Sequence, residues 1–505
     1  MDNAKYCCEC GNKIGFYCKK CGTFNRSGKF CISCGTKNDP IDWNKASTNP
    51  DDYSWENVYE DESGTYTADR LVFLKGNYEA KKIEIRQGTR IICDDFLAYY
   101  WIDEYHYKDA IVEEIIIPDS VTQIGNNAFG DCISLRSIVI PDSVTQIGEQ
   151  AFSYCSSLQS IVIPNSVTQI GDRAFEGCSS LQSIVIPDSV TQIGWCLLDG
   201  CKGLPKRDDN LLVINDWLLQ VPENIKQITI PNIVRKVGCG AFVGCSNLQS
   251  IVIPDSVTQI GDGAFEGCSS LQSIVIPDSV TQILRQTFRG CRGLQSIVIP
   301  NSVTRIGDGA FEGCSSLQSI VIPDSVTQIE TCAFEGCSSL QSIVIPDSVT
   351  QIGVGAFHGC SSLQSIVIPY SVTQIESYAF NDCSSLQSIV IPNSVTQIGS
   401  GAFEGCSSLQ SIIIPDSVTR IEISAFNGCI SLRSIVIPDS VTQIFRETFH
   451  GCSSLQSIVI PNSVAQIGDY TFLSCSSLRS IFIPNGTKEK FQKMLPEYKH
   501  LLQEQ

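Results

Sequence analysis

The sequence predicts a repeat solenoid, in which one short coil is stacked on the next along a single axis. A 23-residue segment, IVIPDSVTQIGEQAFSYCSSLQS at Ile138–Ser160, recurs with small changes almost to the C-terminus. Its proline recurs at a fixed spacing, from Pro118 to Pro187 and again from Pro231 to Pro484. A period of this length is typical of units that bury a shared core only when they stack on one another.

Composition and charge limit the classes of function. The 505 residues carry a net charge of −18, but residues 1–40 hold seven Lys or Arg and three acidic residues. The remainder therefore holds 28 basic and 50 acidic groups, a net charge of −22. An acidic body repels phosphate backbones, which argues against nucleic acid lying along the repeats.

The N-terminal residues bear on localisation. The opening MDNAKYCCEC contains no apolar signal region, and no apolar run in the chain is long enough to span a bilayer. The sequence therefore predicts a soluble cytoplasmic protein without a membrane span, and leaves surface exposure open.

Three Cys-x-x-Cys-Gly motifs near the N-terminus predict a structural zinc site. They are Cys7/Cys10, Cys18/Cys21 and Cys31/Cys34. Two such pairs supply four thiolates around a tetrahedral Zn²⁺ and leave no open coordination position. We expect one zinc ion to be held by Cys18, Cys21, Cys31 and Cys34. The rival pairing joins Cys7 and Cys10 to Cys18 and Cys21, and the remaining motif is then spare.

These motifs, preceded by aromatic residues at Tyr17 and Phe30, resemble the small zinc-ribbon family over residues 6–37. The ribbon is basic, with Lys19 and Arg26 among its cations, so nucleic-acid contact is possible through residues 1–40 only.

The segments that follow differ in composition. Residues 38–66 are rich in Asp, Glu, Asn and Ser and lack apolar periodicity, which predicts a flexible acidic linker. Strand-like alternation begins near Leu71, Lys82–Arg86 fits a coil strand, and residues 99–109 are an insertion. The predicted domains are a zinc ribbon at 1–37, the linker at 38–66, an atypical N-terminal cap at 67–114, the repeat solenoid at 115–485 with a hairpin insertion at about 205–228, and a helical cap at 486–505.

Within each coil the apolar spacing predicts which side chains face inward. The pattern Leu-x-x-Ile-x-Ile-Pro forms a short parallel strand, from which Leu158, Ile161 and Ile163 point inward to the core of the coil. Ser160 and Val162 then point outward. A second apolar segment of Val and Ile, followed by Ala-Phe and Cys, completes eight inward residues per coil and leaves no room for polar chemistry in the core.

Cysteine recurs once per coil in fifteen coils. We expect these thiols to be reduced and buried, acting as small apolar side chains, because Cys is among the most buried residue types. A disulfide framework is the alternative that their regular spacing suggests.

The pattern L-x-x-I-x-I-P-x-x-V-x-x-I-G-x-x-A-F-x-x-C-x-x-L resembles the bacterial BspA-like leucine-rich repeats, and the resemblance covers residues about 110–485. It extends to a hairpin insertion with its turn at Asn215-Asp216, and to a closing C-terminal helix. The resemblance implies a right-handed leucine-rich-repeat coil with short parallel strands and 3-10 or helical turns. It also implies protein binding, often as a surface adhesin.

Catalysis is not indicated. The four histidines have no nucleophile or carboxylate at a telling spacing, and the motif Gly261–Gly267 has the wrong glycine spacing for a dinucleotide loop. A column of carboxylates that includes Asp255 and Asp278 could bind Ca²⁺, but other residues interrupt it.

The sequence therefore predicts a non-enzymatic scaffold that binds a protein partner through its strand face. The predicted binding residues are Val139, Val162, Val185, Val252, Val275, Val298, Val321, Val344, Val367, Val390, Val436 and Val459. Two alternatives are a nucleic-acid-associated factor acting through the basic ribbon, and a BspA-like adhesin exported by an unconventional route.

Overall fold

A computed structural model describes residues 16–17, 24–25, 58–62, 64–67, 72–77, 79–97, 100–103, 106–108 and 110–505. The chain forms a β-solenoid of about 18 turns, mostly strands with little helix. It divides into two compact units, Met1–Lys206 and Arg207–Gln505. The predicted solenoid is therefore confirmed, whereas the predicted zinc-site cysteines lie outside the described residues.

The first unit contains seventeen of the described strands. They are β1 (Phe16–Tyr17), β2 (Phe24–Asn25), β3 (Val58–Asp61), β4 (Gly64–Thr67), β5 (Val72–Gly76), β6 (Lys82–Glu84), β7 (Ile91–Ile92), β8 (Tyr100–Asp103), β9 (His106–Lys108), β10 (Glu114–Ile116), β11 (Gln123–Ile124), β12 (Ser137–Val139), β13 (Gln146–Ile147), β14 (Ser160–Val162), β15 (Gln169–Ile170), β16 (Ser183–Val185) and β17 (Gln192–Ile193).

Each coil of the first unit contributes one strand to each of two sheets. One is the parallel sheet β6–β10–β12–β14–β16, and the other runs β3–β4–β5–β7–β11–β13–β15–β17. Successive strands pair in register one repeat apart, as Ser160 with Ser183 and Gln146 with Gln169. The insertion before the first regular coil forms the antiparallel hairpin β8–β9.

The second unit begins with the hairpin β18 (Leu212–Ile214) and β19 (Trp217–Gln220). Its further strands are β20 (Gln227–Thr229), β21 (Lys236–Val237), β22 (Ser250–Val252), β23 (Gln259–Ile260), β24 (Ser273–Val275), β25 (Gln282–Ile283), β26 (Ser296–Val298), β27 (Arg305–Ile306), β28 (Ser319–Val321), β29 (Gln328–Ile329), β30 (Ser342–Val344), β31 (Gln351–Ile352), β32 (Ser365–Val367), β33 (Gln374–Ile375), β34 (Ser388–Val390), β35 (Gln397–Ile398), β36 (Arg420–Ile421), β37 (Ser434–Val436), β38 (Gln443–Ile444), β39 (Ser457–Val459), β40 (Gln466–Ile467), β41 (Ser480–Ile483) and β42 (Leu502–Glu504).

The longest sheet of the second unit is the parallel, in-register sheet β24–β26–β28–β30–β32–β34. On the other side of the coils lie the sheets β25–β27–β29–β31 and β33–β35–β36–β38–β40. The hairpin turns at Asn215, which has a φ of 55°, and β19 pairs with β21 to start the stack.

The core of the second unit is one continuous apolar cluster. In the central coil, Ile320, Ile322, Val326, Ile329 and Phe334 are buried, as are the neighbouring Leu, Ala and Cys positions. The inward residues predicted from the apolar spacing are therefore confirmed. Because each coil exposes its apolar side chains to the next coil, stacking removes them from water and stabilises both coils.

The predicted 3-10 or helical turns are not formed within the coils. In residues 110–505 the helical segments are α1 (Lys488–Met494) and a 3-10 helix at Pro496–Leu501. The Ala-Phe segment instead forms turns, because left-handed residues such as Gln286 (φ 55°) and Gly290 (φ 68°) interrupt it. Its backbone bonds to the next coil, as where Phe311 N–H donates to the Ala333 carbonyl over 2.8 Å.

The predicted flexible linker is wrong for its last residues. Strand β3 pairs antiparallel with β4, and β4 pairs with β5, so residues 58–61 and 64–67 extend the sheet. The physical reason is the Tyr66 side chain, which is fully buried and stacks on Phe73 with ring centroids 4.0 Å apart.

The predicted C-terminal helix is present. Phe491 and Leu495 are buried against the last coil, and Tyr498 packs edge-on against Phe472 at 5.7 Å. Helix α1 ends before Pro496, and β42 then pairs in parallel with β41. These contacts cover the apolar end of the stack.

Candidate protein-binding face

The candidate site is the outer surface of the Ser-Ile-Val strands. Along each strand the side chains alternate, so Ser and Val face solvent while Ile faces the core. Strand β30 shows this directly, with Ser342 and Val344 exposed and Ile343 buried. The proline that follows ends the strand, and its carbonyl accepts a hydrogen bond from the Val N–H three residues later, as Pro346 does from Val349 over 3.0 Å.

The predicted Val positions form one exposed column in each unit. Eleven of the twelve are exposed, from 48% at Val185 to 79% at Val139. Val459 is half-buried, because the larger Phe482 occupies the matching position on the next strand. Sequence reasoning missed Ile413, which is 83% exposed at the same repeat position; its place in the period was the signal that could have found it.

Neighbouring Val residues lie close enough to form a continuous surface. In β24–β34 the Val residues pair in register, so consecutive side chains are separated by the strand spacing of about 4.7–4.9 Å. Exposed Ser residues flank them on the same strands. The result is an apolar stripe with a hydroxyl border.

A second column runs three residues after each Val. It contains exposed Asp255, Asp278, Asp324 and Asp347, with Asn at 301 and 393. In the part of the chain that the structure describes, no Lys, Arg or His lies within ion-pair distance of these four carboxylates. The turn that carries them is held by other groups.

Those groups belong to the turn backbone and its serine. The Ser325 hydroxyl donates to the Val303 carbonyl of the preceding coil over 2.6 Å, and Ser348 repeats this contact with Val326 over 2.7 Å. The Asp side chains are therefore not needed to close the turn.

Tyr370 replaces Asp in this column and is 75% exposed. It lies three residues after Val367, the last residue of β32, and stands between coils that carry Asp347 and Asn393 at the same position. An exposed aromatic side chain beside an apolar stripe is typical of the residues that dominate binding energy at protein interfaces. In the sequence, Tyr370 is one of the residues that interrupt the carboxylate column.

The opposite turns carry a different arrangement, in which charges satisfy one another. Arg289 lies between two acids, 3.4 Å from Glu266 and 3.1 Å from Glu312. Further along, Asn427 donates to Glu404 over 2.9 Å. Burial raises the pKa of Glu404, and the Asn427 hydrogen bond opposes that rise. These contacts join successive coils and serve the fold.

The cysteines that recur once per coil, here called the column cysteines, are free thiols buried in the core, as predicted. From Cys155 onward, each donates to a carbonyl of the preceding coil, as Cys337 Sγ does to Phe311 O over 3.2 Å. Burial raises the pKa of Cys314 to about 12, so its thiol is protonated at neutral pH and is not a nucleophile.

Neither a metal centre nor a membrane-spanning helix is present among the described residues. Within them, no group of three or more His, Cys, Asp or Glu side chains is arranged to hold a metal ion. None of the helices there has the length and apolar character that crossing a membrane requires.

Comparison with known proteins identifies the family of the repeat. The BspA type leucine rich repeat region matches residues 101–207, 213–341, 281–410 and 396–497. Among solved structures, a leucine-rich repeat protein from Bacteroides ovatus is 30% identical, with 80% of this chain and 96% of that chain covered and a TM-score of 0.42. A leucine rich cell surface protein from Faecalibacterium prausnitzii is 28% identical, with 86% and 97% covered and a TM-score of 0.37. No curated protein matches. Because the repeat pattern matches well over half of its length, the chain belongs to the family of BspA type leucine rich repeat proteins.

Proposed function

We propose that this protein is a non-enzymatic scaffold that binds a protein partner through the Val column and its Ser and Asp borders. The observation that carries the proposal is the unbroken apolar stripe on β24–β34, where every strand exposes one Val at the same register. Single exposed apolar residues are ordinary on protein surfaces, but a contiguous row marks an interaction site.

The proposal is tested by three substitutions on adjacent coils, Val298→Lys, Val321→Lys and Val344→Lys, made together in the full-length protein. These side chains are 69–76% exposed, so the fold is expected to survive the change. We expect the triple variant to lose at least about tenfold of its affinity for a captured partner, because Lys disrupts apolar contact. Capture from an extract of the native organism, quantified by mass spectrometry, provides the comparison.

The matched control is Thr304→Lys, Thr327→Lys and Thr350→Lys. These exposed residues lie on the same coils but next to the other sheet, and the change in net charge is identical. The control variant should capture the same proteins as the parent. Equal capture by the Val variant, with an unchanged circular dichroism spectrum, would remove the strand face from consideration.

We also propose that the N-terminal motifs bind Zn²⁺ through Cys18, Cys21, Cys31 and Cys34. The support is the spacing of the Cys-x-x-Cys-Gly pairs. The antiparallel pair β1–β2 adds to it, since Tyr17 pairs with Phe24 and Cys18 and Cys21 lie between these two residues in the sequence. Two Cys-x-x-Cys pairs supply the four thiolates that a tetrahedral Zn²⁺ takes.

Metal content of the full-length protein distinguishes the two pairings. Cys31→Ser/Cys34→Ser should lower the zinc content, whereas Cys7→Ser/Cys10→Ser should leave it unchanged. The reverse pattern would establish the rival pairing, and a parent protein without zinc would exclude both.

A further inference from the structure

We propose that the segment of the partner in contact with this face is a cationic polypeptide carrying both apolar and Lys or Arg side chains. It lies on the coils of β24–β34, and Tyr370 anchors it. The inference rests on the proposed function and adds the chemical class of the partner. It is argued from the Asp column, the Val column and the presence of Tyr370 at an Asp position.

The first column supplies the charge. Asp278, Asp324 and Asp347 are exposed carboxylates that border the face, and no described cation pairs with them. Two arginines of these coils are held by acids away from the column: Arg289 lies between two glutamates, and Arg305 bonds Glu330 over 2.9 Å. The negative potential beside the stripe is thus left uncompensated, and a positively charged partner neutralises it.

The second column supplies the apolar contact. Val321, Val344 and Val367 are 67–76% exposed and lie in register. A segment carrying only cations would leave this surface in water, whereas apolar side chains cover it. The partner therefore needs both kinds of side chain.

The distance between the columns fits a polypeptide. On the coils that carry Asp, Val and Asp are three residues apart, so their Cα atoms are separated by at most about 10 Å. A single extended segment can place apolar side chains on the Val column while the long stems of Lys or Arg reach the carboxylates. A divalent cation would use the carboxylates alone and leave the Val column exposed.

Tyr370 supplies the aromatic contact of this face. It stands in the Asp column three residues after Val367, on the coil of the fifth of the six strands of this sheet. Its 75% exposure leaves a large ring accessible beside the apolar stripe. A Tyr side chain offers apolar area at low entropic cost, and its ring also attracts a nearby cation.

The experiment measures binding of a fluorescent peptide of alternating Lys and Leu to the full-length protein by fluorescence anisotropy. Asp324→Asn/Asp347→Asn is compared with Asp208→Asn/Glu223→Gln, which removes the same charge from exposed positions outside the column. We expect the first pair to weaken binding at least about tenfold and the control pair by less than about twofold. Tyr370→Asn, which copies Asn393 of the following coil, should weaken binding about tenfold or more.

Two further peptides and one additive complete the test. A Lys/Ser peptide of equal charge and a Glu/Leu peptide should each bind at least about tenfold more weakly than Lys/Leu. Equal effects of the two double variants, or equal binding of Lys/Ser and Lys/Leu, would overturn the inference. Binding abolished by micromolar Ca²⁺ would also overturn it, because the carboxylates would then be a cation site. None of these outcomes depends on the Val→Lys capture result, so the proposed function can stand if the partner class fails.

Discussion

The repeated cysteine shows how one residue type meets two demands of the coil. Its side chain is small enough for the crowded interior, where Cys360 and Cys383 are completely buried. Its thiol also donates to a backbone carbonyl of the preceding coil, as Cys360 Sγ does to Phe334 O over 3.2 Å. A serine would make the same contact, but burial of its hydroxyl costs more free energy than burial of a thiol.

We predict that the column thiols resist alkylation in the folded protein. Burial raises the pKa of Cys314 and of Cys360 to about 12, so at pH 8 both remain protonated, and only the thiolate reacts. Iodoacetamide labelling followed by peptide mass spectrometry should modify them only after denaturant is added. Half-buried Cys239 is the internal reference and should react first. Native-state labelling of Cys314 at the rate of Cys239 would contradict the prediction.

At the scale of the element, the unit of stability is the pair of stacked coils. Phe rings from successive coils stack with centroids 5.3 Å apart at Phe311–Phe334 and 5.4 Å apart at Phe288–Phe311. Each fully buried ring contacts the coil on both sides. Loss of one ring therefore leaves a cavity that two coils share.

Phe311→Ala should accordingly cost about 3–5 kcal/mol in the unfolding free energy of the second unit. Urea unfolding followed by circular dichroism measures the loss. The control is Phe445→Ala, since Phe445 is only half-buried and lies outside the stack, with Arg420 5.9 Å from its ring centroid. That change should cost no more than about 1 kcal/mol. Similar losses in the two variants would show that the stack is not the source of the stability.

The coil could be predicted from sequence because its signals are local and repeated. Leu158, Ile161 and Ile163 follow a spacing that only an alternating strand explains, and every later coil repeats it. The turns were mispredicted because residues such as Gln286 and Glu447 adopt left-handed backbone angles that ordinary side chains avoid. Stacking against the next coil imposes that conformation, and no local sequence pattern indicates it.

The candidate site could likewise be predicted only where it depends on the local repeat. The Val column follows from the period, but the importance of Tyr370 depends on its exposure beside neighbours from other coils. Likewise, the acidic composition of residues 58–66 concealed the strand pair, because the partner of Tyr66 is Phe73 in another strand. Contacts between segments decide these features, and composition does not report them.

At the scale of the whole molecule, the opposite turns and the strand face differ in whether their acidic side chains are paired with cations. On the opposite turns, acids such as Glu312 and Glu330 are paired with arginines. On the strand face, the carboxylates Asp324 and Asp347 occupy the same position on successive coils without a described cation beside them. Like charges one coil apart, in a body with a net charge of −22, oppose the folded state. These carboxylates destabilise the folded state, and their presence therefore favours a role in binding over a role in the fold.

This distribution predicts a salt-dependent gain in stability when the column is neutralised. At about 0.01 M NaCl, where charges interact over about 30 Å, Asp324→Asn/Asp347→Asn should raise the melting temperature by about 1–2 °C, because it removes a repulsion worth roughly 1 kcal/mol. At about 1 M NaCl the interaction range falls to about 3 Å and the difference from the parent should vanish. Differential scanning calorimetry measures both values. Asp208→Asn/Glu223→Gln changes the net charge equally but removes no column neighbours, so its shift at low salt should be smaller. Equal shifts from the two double variants would mean that net charge alone destabilises the protein, and that the carboxylate column carries no special strain.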